Sequence, residues 1–159
     1  MRKHLVNELE VVVPADTLWA IYSTTQFPKL IVQLLPIVVQ NIEIDGDGSL
    51  GTVLNVIFVP GSVPLSYKEK IVTIDHEKRL KEVVQIEGGY LDLGCSFYMS
   101  SFQILEKGRD SCIIKSMVTY ELAKDADPSV ADLVTIAAHA AIAQVISKYV
   151  LDKQVAAAP

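Results

Sequence analysis

This chain is short of basic charge, reactive cysteine and clustered histidine, and each shortage removes a class of function. It carries 14 Lys and Arg against 19 Asp and Glu, a net charge of −5. The cations are scattered among acids, so no basic face exists for a nucleic-acid backbone. His4, His76 and His139 lie far apart, and none has the spacing of a metal pair. No nucleophile stands beside a recognisable base, and there is no dinucleotide fingerprint. Apolar runs stay short of the roughly 20 residues of a membrane span. Cysteine is limited to Cys95 and Cys112. They fall on neighbouring predicted strands but offset by about ten residues, roughly 30 Å. That is too far for a disulfide, and buried free thiols are expected. Met1-Arg2-Lys3-His4 leads directly into a strand pattern without the apolar core of a signal peptide, so a reducing cytoplasm is the expected location.

Apolar residues, by contrast, make up 50% of the 159 positions. A chain of this length forms one domain, here residues 1–154 followed by a disordered tail at 155–159. So apolar a composition implies either a large core or a cavity for an apolar ligand. Alternation from His4 to Val13 predicts a strand. Pro14-Ala15-Asp16 opens a short helix, and a second spans Pro28 to Leu34 before Pro36. From residue 40 the period becomes two. Strands are predicted at Gln40–Ile44, Thr52–Val59, Ser66–Ile74, Arg79–Glu87, Leu91–Leu105 and Ser111–Leu122, seven in all with the first. The Gly46–Gly51 segment is glycine-rich, but it lacks the Lys-Ser/Thr ending of a phosphate loop and precedes a strand, so it reads as a hairpin turn. Gly88-Gly89 bends or ends its strand. After Asp127-Pro128, apolar residues at Val130, Leu133, Val134, Ala137, Ala138, Ala141, Val145 and Tyr149 predict one long helix of about 22–26 residues, roughly 35 Å. Its alanine-rich face permits either a ligand cavity beneath it or a close approach of helix to sheet. The order fits an α+β fold: a seven-stranded curved antiparallel sheet wraps a long C-terminal helix, and two short helices close the open end. Such a cavity would be on the order of 300–1,000 Å³.

On the strand from Ser66 to Ile74, Tyr67, Glu69, Ile71 and Thr73 share one face and Lys68 and Lys70 the other. The lysine face reads as outside, which turns Tyr67 and Glu69 inward. A carboxylate in an apolar cavity has a raised pKa and serves as a base near neutral pH. The same pattern also suits a cross-strand ion pair on a half-wet sheet. Lys81 shares its face with Val83 and Gln85, opposite Leu80, Val84 and Ile86. Simple alternation places it outside, but a one-residue slip of register inverts the strand.

The whole chain resembles the major birch pollen allergen family, also called pathogenesis-related class 10. Within it the resemblance is to the norcoclaurine synthases. It is carried by Leu34-Leu35-Pro36, Gly46-Asp47-Gly48, Phe58-Val59-Pro60-Gly61, Tyr67-Lys68-Glu69-Lys70, the His76–Val83 run, Ile86–Gly94, and Asp110-Ser111-Cys112. It implies a helix-grip fold and a Pictet–Spengler condensation of dopamine with 4-hydroxyphenylacetaldehyde or a related aldehyde, in benzylisoquinoline alkaloid biosynthesis, without metal or cofactor. The alternative is a protein that binds or stores alkaloids or other hydrophobic plant metabolites. The implied catalytic residues are Tyr67, Glu69 and Lys81. Lys81 would protonate the carbinolamine oxygen, Glu69 would take the ring proton, and Tyr67 would orient substrate. The resemblance implies a substrate wall of Leu35, Val38, Val39, Ile71, Val83, Gln85, Phe97, Ser100 and Ala141, and points Lys81 into the pocket. Ser100 stands where the family usually has aspartate, and serine cannot hold a negative charge beside an iminium. The implied partners are a small aromatic amine and an aldehyde, or an alkaloid, with no nucleic acid or membrane, and the protein would be a monomer or weak homodimer.

Overall fold

The computed structural model describes residues 1–157. Seven strands form one sheet in the order β1-β7-β6-β5-β4-β3-β2, every neighbouring pair antiparallel. They are β1 Lys3–Val11, β2 Val39–Asp45, β3 Val53–Phe58, β4 Ser66–Asp75, β5 Leu80–Gly88, β6 Cys95–Gly108 and β7 Ser111–Leu122. Helices α1 (Ala15–Tyr22) and α2 (Gln26–Leu34) follow β1, and α4 (Ala137–Ala157) ends the chain. Five residues between β5 and β6, Gly89–Leu93, form a further helical turn, α3. The glycine pair therefore does more than stop a strand: Gly88 at φ 73 ends β5 and Gly89 at φ 57 starts α3. The Gly46–Gly51 segment is the β2–β3 turn, closed by the Gly48 amide donating to Thr52 Oγ1 at 3.0 Å.

The core lies between the inner face of the sheet and the helices. Ala143, Ile146 and Val150 of α4 join Val11, Ile104 and Ile114 of the strands and Leu18 and Tyr22 of α1. The terminal helix departs from expectation in three ways. Residues Pro128–Leu133 form a 3-10 turn, opened by Asp127 accepting from the Ser129 amide, and Val134 is extended. The α-helix begins only at Ala137, whose amide donates to Thr135 Oγ1 at 3.1 Å. Thr135 thus supplies a fresh helix start that the longer apolar periodicity conceals. Next, the buried stripe is His139, Ala143, Ile146, Ser147 and Val150, turned about one residue from the expected Ala138–Ala141–Val145–Tyr149 line. Finally, Val155, Ala156 and Ala157 remain helical, which suits the high helix propensity of alanine; of the expected tail, residues 158–159 lie outside the described residues. By length and composition alone the 128–157 segment would pass for a membrane span; here its buried side packs on the sheet. Both cysteines are free and buried, as expected.

Two register shifts between β4 and β5 decide which side chains face inward. Tyr67 pairs with Gly88 and Lys68 with Glu87, but Glu69 pairs with Gln85, skipping Ile86. Ile71 pairs with Val83, and then Val72 is skipped. Lys81, Val83 and Gln85 are consequently all buried, while Ile86 is exposed. Their β6 partners confirm the side: Lys81 lies opposite Phe102 and Val83 opposite Ser100, both buried. Simple alternation therefore misplaces Lys81: it lies on the inner face, as the resemblance implies, although it does not reach the lining of the pocket.

Gly89 ties this geometry to the backbone. A Cβ there would lie 2.6 Å from Tyr67 Cβ and 2.7 Å from Gln85 Oε1, at a φ that side chains rarely adopt. Gly89→Ala should lower unfolding free energy by about 1–3 kcal/mol, the usual cost of a left-handed non-glycine residue, and should disturb the ring environment of Tyr67. Urea denaturation checks the first effect, and an unchanged midpoint would refute it.

Candidate active site

Tyr67 and Glu69 stand two residues apart on β4 and line one enclosed apolar cavity. Leu35, Val38 and Val39 close one side, Ser100 and Phe102 of β6 form the floor, and Ala138, His139, Ala141 and Ile142 of α4 form the roof. Lys81 is buried (2% exposed) beside this cavity and not on its lining. Its Nζ donates to the carbonyl of Tyr22 at 3.1 Å and lies 5.3 Å from the Phe27 ring centroid. Tyr22 is the last residue of α1, so the ammonium rests at the negative end of a helix, over the face of an aromatic ring.

Burial governs the charges. Desolvation raises the Glu69 carboxyl to about 7, and Lys81 nearby partly offsets the rise. Desolvation lowers Lys81 to about 8, and Glu69 partly offsets that fall. In both groups burial outweighs the mutual attraction, so acid and base are brought towards neutrality from opposite directions. Tyr67 is pushed well above the usual phenol range, chiefly by burial and next by Glu69. It therefore keeps its proton and can serve as a hydrogen-bond donor. Its ring packs on Phe58 at 5.5 Å between centroids.

The cavity unites only part of the expected wall. Leu35, Val38, Val39, Ser100 and Ala141 line it. Ile71 and Val83 are buried in the core beside it. Gln85 points inward, but its Oε1 accepts from the Tyr90 amide at 3.0 Å, so it anchors α3. Phe97 faces outward under the guanidinium of Arg2, 3.9 Å from its ring, because β6 turns its neighbour Tyr98 inward. The residues that sequence reasoning missed are mainly large: Phe27, Ile42, Phe58, Phe102 and Ile142. They narrow the cavity to about 70 Å³, below the expected size, so the small alanines of α4 leave less room than they promise. Two aromatic rings need these side chains to move apart.

His139 also lines the cavity, and no motif in the sequence points to it. Its Nε2 lies 2.9 Å from Ser100 Oγ, and its ring stacks on Phe102 at 5.5 Å. Burial lowers its pKa to about 4, which leaves the imidazole neutral at physiological pH. The only signal in the sequence is a polar residue amid the alanines at the start of α4. Among the described residues no group of three His, Cys, Asp or Glu side chains is placed to hold a metal ion.

With this geometry in hand, comparison with known proteins is specific. Residues 1–153 match the pathogenesis-related protein Bet v 1 family. The chain is 48% identical to S-norcoclaurine synthase 2 of Papaver somniferum over 156 residues, 97% of this chain and 68% of that one. It is 50% identical to a norbelladine synthase of Narcissus pseudonarcissus over 124 residues, 77% of this chain and 76% of that one. The X-ray structure of norcoclaurine synthase from Thalictrum flavum in complex with dopamine and hydroxybenzaldehyde superposes with a TM-score of 0.88 at 44% identity, covering 96% of this chain and 88% of that one.

The opposed shifts have a direct spectroscopic consequence. The Glu69 carboxyl carbon should titrate near pH 7 by NMR. In Lys81→Met it should titrate higher, because the neighbouring cation that favours the carboxylate is gone. A midpoint near 4.5 in both proteins would show that the carboxylate is solvated.

Proposed function

The chain belongs to the pathogenesis-related protein Bet v 1 family, and we propose that it is an enzyme of the norcoclaurine synthase type, a carbon–carbon bond-forming lyase that condenses dopamine or a close relative with 4-hydroxyphenylacetaldehyde or a related aldehyde. The observation that carries this reading is the placement of an acid and a base in one apolar interior: Glu69 lines the cavity and Lys81 is buried beside it, so burial moves both towards neutrality. A carrier has no use for an acid and a base poised near neutrality.

The substrate amine adds to the aldehyde to give a carbinolamine. Once the lining side chains part and uncover its Nζ, the Lys81 ammonium protonates this hydroxyl, water leaves, and the nitrogen lone pair forms the iminium. The electron-rich ring then attacks the iminium carbon and closes the new ring. Glu69 as carboxylate takes the ring proton and restores aromaticity. Lys81 is left neutral and Glu69 protonated, so a proton passing from Glu69 to Lys81 resets the pair. General acid–base assistance of this kind is worth roughly 10²–10⁴-fold per group. Tyr67, protonated throughout, orients the substrate. The apolar walls exclude the water that would reverse iminium formation.

A second reading is favoured by one observation. Ser100 supplies no negative charge to the cationic intermediate. A protein that holds alkaloids without making them would tolerate that, while the narrow cavity must widen for either role.

The deciding assay supplies dopamine and 4-hydroxyphenylacetaldehyde and resolves the product by chiral chromatography. Wild type should give one enantiomer in excess. Lys81→Met should leave only the racemic background, and Glu69→Gln should cost roughly 10²–10⁴-fold. Racemic product from wild type, together with tight alkaloid binding, would establish the carrier instead.

A further inference from the structure

His139 and Ser100 are the polar pair on the cavity that the acid–base steps leave unused. Both line the same space as Tyr67 and Glu69. His139 Nε2 and Ser100 Oγ are 2.9 Å apart, and both residues are buried. His139 Nδ1 is also buried, yet among the described residues it has no hydrogen-bond partner. An orphaned polar atom in an otherwise apolar setting is costly and unusual in a native fold. The ring cannot readily swing away to relieve it, because the Ser100 contact and the stack on Phe102 hold its plane.

We infer that His139 is a substrate-recognition residue: Ser100 holds one ring nitrogen, and the other takes the hydroxyl of a phenolic ring bound in the cavity. The ring is neutral, so it carries one N–H and one lone pair. If Ser100 donates to Nε2, then Nδ1 bears the proton and needs an acceptor. If Nε2–H donates to Ser100, then Nδ1 offers a lone pair and needs a donor. A phenolic hydroxyl is both donor and acceptor and satisfies either tautomer. An ammonium satisfies only one, and a carbonyl only the other. A neutral imidazole also gives a cation no electrostatic reason to settle there. The pair therefore suits the substituent on an aromatic ring, while Lys81 and Glu69 serve the reacting atoms. A serine in place of a carboxylate at position 100 keeps the imidazole neutral and this choice of tautomer open.

The identity of the phenol rests on the proposed condensation, but the test does not require catalysis. Binding of 4-methylphenol and of toluene to the full chain is measured by calorimetry. Wild type should prefer the phenol by about tenfold, the worth of one ordinary hydrogen bond. His139→Asn places an amide where Nδ1 lies but loses reach to Ser100. His139→Gln reaches Ser100 but leaves nothing polar at the Nδ1 position. Recognition through Nδ1 means that the asparagine variant keeps the preference and the glutamine variant loses it. The reverse pattern would make His139 a structural partner of Ser100 and overturn the proposal, as would equal binding of both probes by wild type. Thermal unfolding of both variants checks that they fold. A wild type that prefers the phenol but makes no product above background would refute the condensation while leaving the role of His139 standing.

Discussion

The cost of burying charge governs this molecule. Glu69 and Lys81 occupy a mostly apolar interior, and for each of them burial is the larger influence and mutual attraction the smaller. A fold built only for stability would replace such a pair with apolar side chains at little loss. Here the pair is supported: the ammonium has the Tyr22 carbonyl at the end of α1 and the face of Phe27, and the carboxylate has the nearby cation. Removing either member strips the other of its compensation. The same desolvation that makes the pair expensive brings both groups to a pKa useful for proton transfer at neutral pH.

The backbone around the pair is arranged to permit this. The skipped Ile86 sets Glu69 on the same face as Gln85 and, through the regular period of β5, Lys81; the skipped Val72 then places Ile74 opposite Lys81. Gly89 lets α3 approach Tyr67 more closely than any side chain would allow. Gln85 fastens that turn by accepting from the Tyr90 amide. Tyr90 in turn stacks on Tyr98 at 4.4 Å and 8° between planes, which stiffens the end of the sheet nearest Tyr67. The contrast with Ser100 and His139 is informative. That pair is neutral and hydrogen-bonded, and it shares the cavity without sharing the charge problem.

Much of this was legible in the residues. β7 runs from Ser111 to Leu122 as alternation and its turn predict, and β4 turns Tyr67 and Glu69 inward because its two lysines must face water. Lys81 was not legible by alternation, since bulges reset the pairing and a bulge leaves no mark in a two-residue period. The resemblance oriented it correctly where local pattern did not. The resemblance alone puts Gln85 and Phe97 on the substrate wall, but Gln85 is tied to α3 and Phe97 lies beneath Arg2. The short α3 was hidden because five residues carry no helical period. The break at Thr135 was hidden because apolar spacing continues across it. The narrowness of the cavity depends on which large residues face the alanines of α4, and that is decided by packing between elements far apart in sequence.

The central claim is that one desolvated site holds an acid and a base near neutrality. The pH dependence of kcat/KM for the condensation tests it most directly, because that quantity reports the ionisations of the free enzyme. The base must be ionised, so the rate should rise with pH through about 7 as Glu69 loses its proton. The acid must be charged, so the rate should fall again through about 8 as Lys81 loses its own. The two limbs belong to the coupled pair and should give a narrow bell. A profile flat from about pH 6 to pH 9, with limbs near the ordinary values for glutamate and lysine, would mean that both groups are solvated and would contradict the account.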